Sequence, residues 1–175
     1  MVLVDPNYSF LWSQVGDVGP SSDGQIWNHC ELHRALQDGV LGVPEADPLP
    51  GDDVNTPYHV IGDDAFALRT GFMKPVPRRG LDNGRVIFNF RLSRTRRVVE
   101  NAFGILANWF QWLLSTFQVN VDTAVLSVKT CVVLHSYLRM RMPAADYLLD
   151  AEDSDHDTQD GIRVTTCKIV DVTTP

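Results

Sequence analysis

Cysteine is scarce and badly placed for a structural role. The three present, Cys30, Cys131 and Cys167, are odd in number, far apart and free of any CxxC spacing. That excludes a disulfide framework and a zinc ribbon, and the expected compartment is reduced and intracellular. No apolar run approaches the roughly 18 residues of a membrane span, so no membrane is expected as a partner. The start, MVLVDPNYSF, lacks the basic and apolar regions of a secretory signal. Internal repeats are missing as well. What remains, at 175 residues, is one domain's worth of chain with room for a sizeable core.

Acidic charge dominates the total, −7, but not its distribution. Residues 1–62 hold nine acids and one base, and residues 143–175 hold eight acids and two bases. The stretch between them, 63–142, holds five acids and twelve bases. An acidic total argues against nucleic acid, whereas a basic middle concentrates positive potential in one region.

Along the chain, Met1 to Asp5 and Tyr8 to Val15 read as two strands around a Pro6-Asn7 turn. The loop GDVGPSSDG follows, with Ser22 or Asp23 placed to cap a helix over about Gln25 to Leu36. Gly39 suits its end, and Val40 to Pro57 is loop by composition. YHVIG is a strand that delivers Asp63 and Asp64 at its C-terminal end, where open α/β sheets hold their working groups. Ala65 to Arg69 reads as one helical turn and Phe72 to Leu81 as a loop. A long helix lies between Arg85 and Leu114, which no proline interrupts, and a last one spans about Val121 to Met140. After Pro143 the acidic, hydrophobe-poor AEDSDHDTQDG predicts disorder, while the β-branched RVTTCKIVDVTTP is a strand candidate without an evident partner.

The most informative stretch is IFNFRLSRTRRVVENAFG, Ile87 to Gly104. Arg91, Arg94, Arg96 and Arg97 precede an apolar face of Val99, Phe103, Leu106 and Phe110, with Glu100 at its edge. Asp63 at a strand end and Glu100 in a helix are a plausible pair of ligands for hard cations. Arginines beside them could contact DNA phosphates. Glu100 is equally the i,i+4 partner of Arg96, and spacing alone favours that ordinary ion pair. His29 and His33 share i,i+4 spacing, but HCELH lacks the glutamate placement of HExxH. His135 and Cys131 read as core residues, and Trp109 and Trp112 as core or interface rather than base-stacking groups.

GDDAFALRTGFMKPVP, FNFRLSRTRRVVENAFGILANWF and CVVLHSYL together resemble the C-terminal half of the PIF/Harbinger DDE transposases. That group includes the Harbinger transposase-derived nucleases of animals. GDVGPSSDGQIW is similar to its Gly-rich turn, so the resemblance runs from about Val2 to Arg141. It implies an α/β, RNase H-like DDE nuclease fold in a partial domain, 1–142, followed by an acidic tail, 143–175. It implies that Asp63 and Glu100 are catalytic and hold Mg²⁺ or Mn²⁺, with Asp23 as a further metal ligand. It also implies that Arg91, Arg94, Arg96 and Arg97 bind nucleic acid, that DNA is the substrate, that a Myb-like DNA-binding protein is a partner, and that the protein is nuclear.

Two departures stand out. The LHN of the group is Leu134-His135-Ser136 here. Its first strand, central in the sheet and bearing the first catalytic Asp, is expected ahead of Met1, which makes the fold N-terminally truncated. Asp5, beside a turn, reads as a turn former instead. The expected consequence is weak Mg²⁺ binding and little or no nuclease activity. The alternatives are a non-catalytic DNA- or protein-binding module domesticated from a transposase, and a chain that never folds stably.

Overall fold

The computed structural model describes residues 1–16, 23–48, 51, 53–69, 71–142 and 164–168. The opening pair of strands is β1, Val2–Val4, and β2, Phe10–Ser13, antiparallel and joined by a tight turn. Asp5 makes that turn, its Oδ1 accepting the amides of Asn7 at 2.9 Å and Ser9 at 2.8 Å. Tyr8 sits within it at φ 63°, so the second strand begins later than the aromatic run suggests. Asp5 is therefore a turn former, as read.

The helix expected over Gln25 to Leu36 is two helices, α1, Asp23–His29, and α2, Glu31–Gln37. Cys30 divides them. Its backbone is extended, and its sulfur accepts the His33 amide at 3.3 Å, a cap that restarts the helix. The break lets Trp27, Cys30 and Leu32 all reach the core. Within the expected loop 40–57, β3, Asp47–Pro48, and β4, Asn55–Thr56, form a small separate hairpin.

β5, His59–Ile61, matches the strand read there, and β6, Phe72–Met73, runs parallel beside it. Between them residues 63–66 form turns rather than a helical one. Gly62 is required at the strand end. A Cβ there would lie 2.7 Å from Phe72 Cε1 and 2.8 Å from Phe66 Cδ2.

α3, Asn83–Trp109, starts on Asp82, whose carboxylate accepts the Arg85 amide at 2.8 Å. It stops at Phe110, and a 3-10 turn, Gln111–Leu114, follows. The expected continuous helix to Leu114 is thus broken one turn early, and Phe110 and Leu113 both pack on the core. α4, Val121–Arg141, is capped by Asn120 and ends in Arg139 and Arg141, the favourable dipole arrangement.

By length and composition α4 could cross a membrane, which the sequence reading did not anticipate. Its polar side chains are committed elsewhere. His135 Nε2 donates to the Tyr8 carbonyl at 2.8 Å, Ser136 Oγ accepts the Phe10 amide at 3.0 Å, and Arg139 donates to the Asn7 carbonyl at 2.7 and 3.0 Å. These bonds clamp the β1–β2 turn onto one side of the helix, while Leu126, Val133 and Met140 are exposed.

β7, Val164–Lys168, completes the sheet in the order β2-β1-β7-β5-β6. It is antiparallel to β1 and parallel to β5. Helices cover both faces. Met1, Leu3, Val60 and Phe72 pack with Trp27 and Leu32 on one side, and Val2, Val4 and Phe10 with Val99, Ala102, Leu106, Cys131 and Val132 on the other. Val2-Leu3-Val4 is apolar without alternation because both of its faces are buried. The disorder expected in the tail falls on residues outside those described.

Candidate active site

Asp63 stands two residues beyond Ile61, at the C-terminal end of β5. One carboxylate oxygen, Oδ1, accepts the Ala65 amide at 3.0 Å, and the Asp63 carbonyl accepts from Phe66 at 3.4 Å. This small turn is fixed from outside by Lys74, whose ammonium donates to the carbonyls of Phe66 at 2.7 Å and Asp64 at 3.3 Å. The loop that follows Lys74 is tied to α3, where the Asn89 side chain accepts the Val76 amide and donates to the Val76 carbonyl, both at 2.8 Å. Lys74 and Asn89 therefore set the Asp63 turn against the helix that carries Glu100. Neither was singled out from sequence, since a lysine in a Pro-rich loop and an asparagine in a helix have no distinguishing pattern.

α3 crosses the sheet face obliquely. Leu92 packs with Ile61 on β5, and Val99, two turns on, packs with Val2 and Val4 on β1. Glu100 follows Val99 directly and is exposed at the edge of this packed face. Asp63 and Glu100 thus belong to two elements stacked on each other, one at the β5 end of the crossing and one at the β1 end. β7 lies between them, and α3 packs against it.

Asp23 is the first residue of α1, inside the helix rather than ahead of it as the cap expected from sequence. Among the described residues, no group of three or more His, Cys, Asp or Glu side chains converges where a metal ion could sit. Two carboxylates on neighbouring elements are short of the oxygen-rich donor set that hard cations require. The described residues therefore do not by themselves fit a two-metal centre.

The four arginines do not form one patch. Arg91 and Arg97 are exposed, Arg94 and Arg96 half-buried, and at roughly 3.6 residues per turn they are distributed around the helix. The charge of these four is consequently spread around α3.

His29 and His33 fall on different helices. His29 Nδ1 lies 2.8 Å from the Gln25 carbonyl, and the buried His33 is stacked on Trp27 at 5.1 Å with Nε2 2.9 Å from Arg69 Nη1. Each ring thus has its own partner, and among the described residues neither belongs to a group of three or more His, Cys, Asp or Glu that could hold a metal ion. His135 is fully buried between Phe10 and Trp109, at ring separations of 4.9 and 5.1 Å. Burial depresses its pKa, with the Arg139 charge adding to the effect and the Tyr8 carbonyl opposing it. Burial likewise raises the thiol pKa values of Cys30 and Cys131.

A family model described as DDE superfamily endonuclease matches residues 1–136. No curated protein and no solved structure matches the chain.

Proposed function

Since the chain belongs to the DDE superfamily endonucleases, a family with an RNase H-like α/β fold that works with divalent metal ions, we propose that it is a transposase-derived, Harbinger-type member that binds DNA and retains the cleavage frame in attenuated form. The match over residues 1–136 supports the endonuclease part of this reading, and the Harbinger type is argued from the resemblance of the α3 segment. Asp63 and Glu100 are the residues proposed to face the scissile phosphate, with Mg²⁺ or Mn²⁺ as the metal the family chemistry calls for. The α3 arginines are proposed to hold the phosphate backbone, which suits a segment, 63–142, with twelve bases against five acids. Nuclear residence and a Myb-like partner rest on the Harbinger resemblance alone.

Attenuation is supported by the donor set, since among the described residues no group of three or more His, Cys, Asp or Glu side chains converges where a metal ion could sit. The same observation favours a second reading, a domesticated module that binds DNA without cutting it.

Two measurements on the full chain separate these. Affinity for a DNA duplex should fall steeply as salt rises; salt-independent binding, or none at low salt, sinks the DNA reading. Nicking of supercoiled plasmid in Mn²⁺ should be weak and lost in Glu100→Gln. Vigorous cleavage would overturn the attenuation, and cleavage unchanged by Glu100→Gln would remove Glu100 from the site. No nicking with intact DNA binding would establish the non-catalytic module.

A further inference from the structure

α4 has two sides with different surroundings. Cys131, Val132 and His135 face inwards, and Ser136 and Arg139 hold the β1–β2 pair. The opposite side is bare. Thr123, Leu126, Thr130, Val133, Tyr137 and Met140 are all exposed, with Leu126 at 66%, Val133 at 67%, Tyr137 at 48% and Met140 at 74%. They recur at alternating steps of three and four residues, the 3.5-residue average of a coiled-coil seam. At that spacing they stay in line along one edge of the helix for roughly 26 Å. A partner that meets all of them is itself a helix.

The seam is complementary to itself turned end for end. With Thr130 opposite Val133 of a second copy, Leu126 falls opposite Tyr137 and Thr123 opposite Met140. The longer side chains, Tyr137 and Met140, thus meet the shorter Leu126 and Thr123. The same alignment brings Asp122 level with Arg141 and Lys129 level with Leu134, so opposite charges share the two ends and no like charges meet. Arg141 already lies over the Tyr137 ring, 5.2 Å from its centre, beside the seam. An antiparallel pair also sets opposite ends of the two helix dipoles together. A parallel pair would place Asp122 against Asp122 and Arg141 against Arg141.

We propose that the outward side of α4 is a self-association surface, on which a second copy of this chain docks with its own α4 antiparallel, about a two-fold axis near residues 130–133. The interface is isologous, each level of the seam being used twice. It stands apart from the DNA reading, since none of its residues is among those assigned to DNA or metal.

Sedimentation equilibrium of the full chain should show a monomer–dimer equilibrium. Val133→Glu enters the interface twice and places two carboxylates beside the axis. It should weaken association at least about a hundredfold and, being exposed in the single chain, leave the monomer's Tm unchanged. Asp122→Arg should weaken association about tenfold, and adding Arg141→Asp should restore it. A monomer at concentrations on the order of 0.1 mM, where even a weak dimer forms, overturns the proposal. So does a dimer indifferent to Val133→Glu, which is built elsewhere, and so does a double variant no better than Asp122→Arg, which breaks the antiparallel order. Monomers that float with phosphatidylcholine vesicles, and are released by Val133→Glu, would overturn it by making this side of α4 a membrane contact.

Discussion

His135 is the sharpest point at which to test the packing of this domain. Its ring lies between Phe10 and Trp109 and its Nε2–H reaches the Tyr8 carbonyl at 2.8 Å, while Nδ1 is buried without a hydrogen-bond partner. His135→Ala removes an aromatic-sized volume from the interior and strands that carbonyl. Core truncations of this size cost about 3 kcal/mol or more, and the orphaned acceptor adds about 1 kcal/mol. For a chain of this size that is a fall in Tm of roughly 8–16 °C. His135→Phe keeps the ring contacts and loses only the hydrogen bond, so about 1–2 kcal/mol is expected. The two variants also separate in their pH response. An unfolded histidine takes its proton near the ordinary value of 6.5, and the folded one, depressed by burial, resists it. Below that value the unfolded state binds more protons, so wild-type stability is complete above pH 6.5 and declines as pH falls towards the lower folded pKa. Urea midpoints of wild type and His135→Phe, taken at pH 7 and again at an acid pH above the carboxylate range, isolate this contribution. The wild type should lose more on acidification than the variant. Equal losses, or a cost below about 1 kcal/mol for His135→Ala, would refute the buried, neutral imidazole.

Gly62→Ala should destabilise the domain by about 2 kcal/mol, because its methyl group would meet the rings of Phe66 and Phe72 behind the Asp63 turn. Thermal melting checks it, and an unchanged Tm would mean the rings yield freely. Cys30 and Cys131, buried and with raised thiol pKa values, should react slowly with a thiol reagent at pH 8 and become fast only in denaturant. Fast labelling of either cysteine in the native state would contradict its burial.

Local chemistry was legible in the sequence. The 3.6-residue spacing of Val99, Phe103 and Leu106 located α3 and its packed face, and Asp5 announced its turn. The strand YHVIG and the helix ending in Arg139 and Arg141 lie where they were read, because each has a pattern contained within itself. The failures share one cause. Cys30 looked like an interior helical residue, and only a thiol capping the next helix, with Trp27 and Leu32 both drawn inwards, explains the break. Phe110 likewise leaves its helix because the core takes its ring. Neither outcome follows from propensity, since tertiary packing decides both.

At the candidate site the division is similar. Asp63 and Glu100 stood out as carboxylates at informative positions, yet their relation depends on which strand separates β5 from β1. The sequence offered a β-branched segment at its end with no evident partner, and the partner is the middle of the sheet. Loop-closure cost rises only slowly with length, so a tether of 22 residues adds little over a short turn. Two-sided pairing gives a short strand twice the ladder of an edge strand, which is how VTTCK can hold a central place. That place sets β5 apart from β1, and with it the separation of Asp63, beyond the end of β5, from the part of α3 that carries Glu100 over β1.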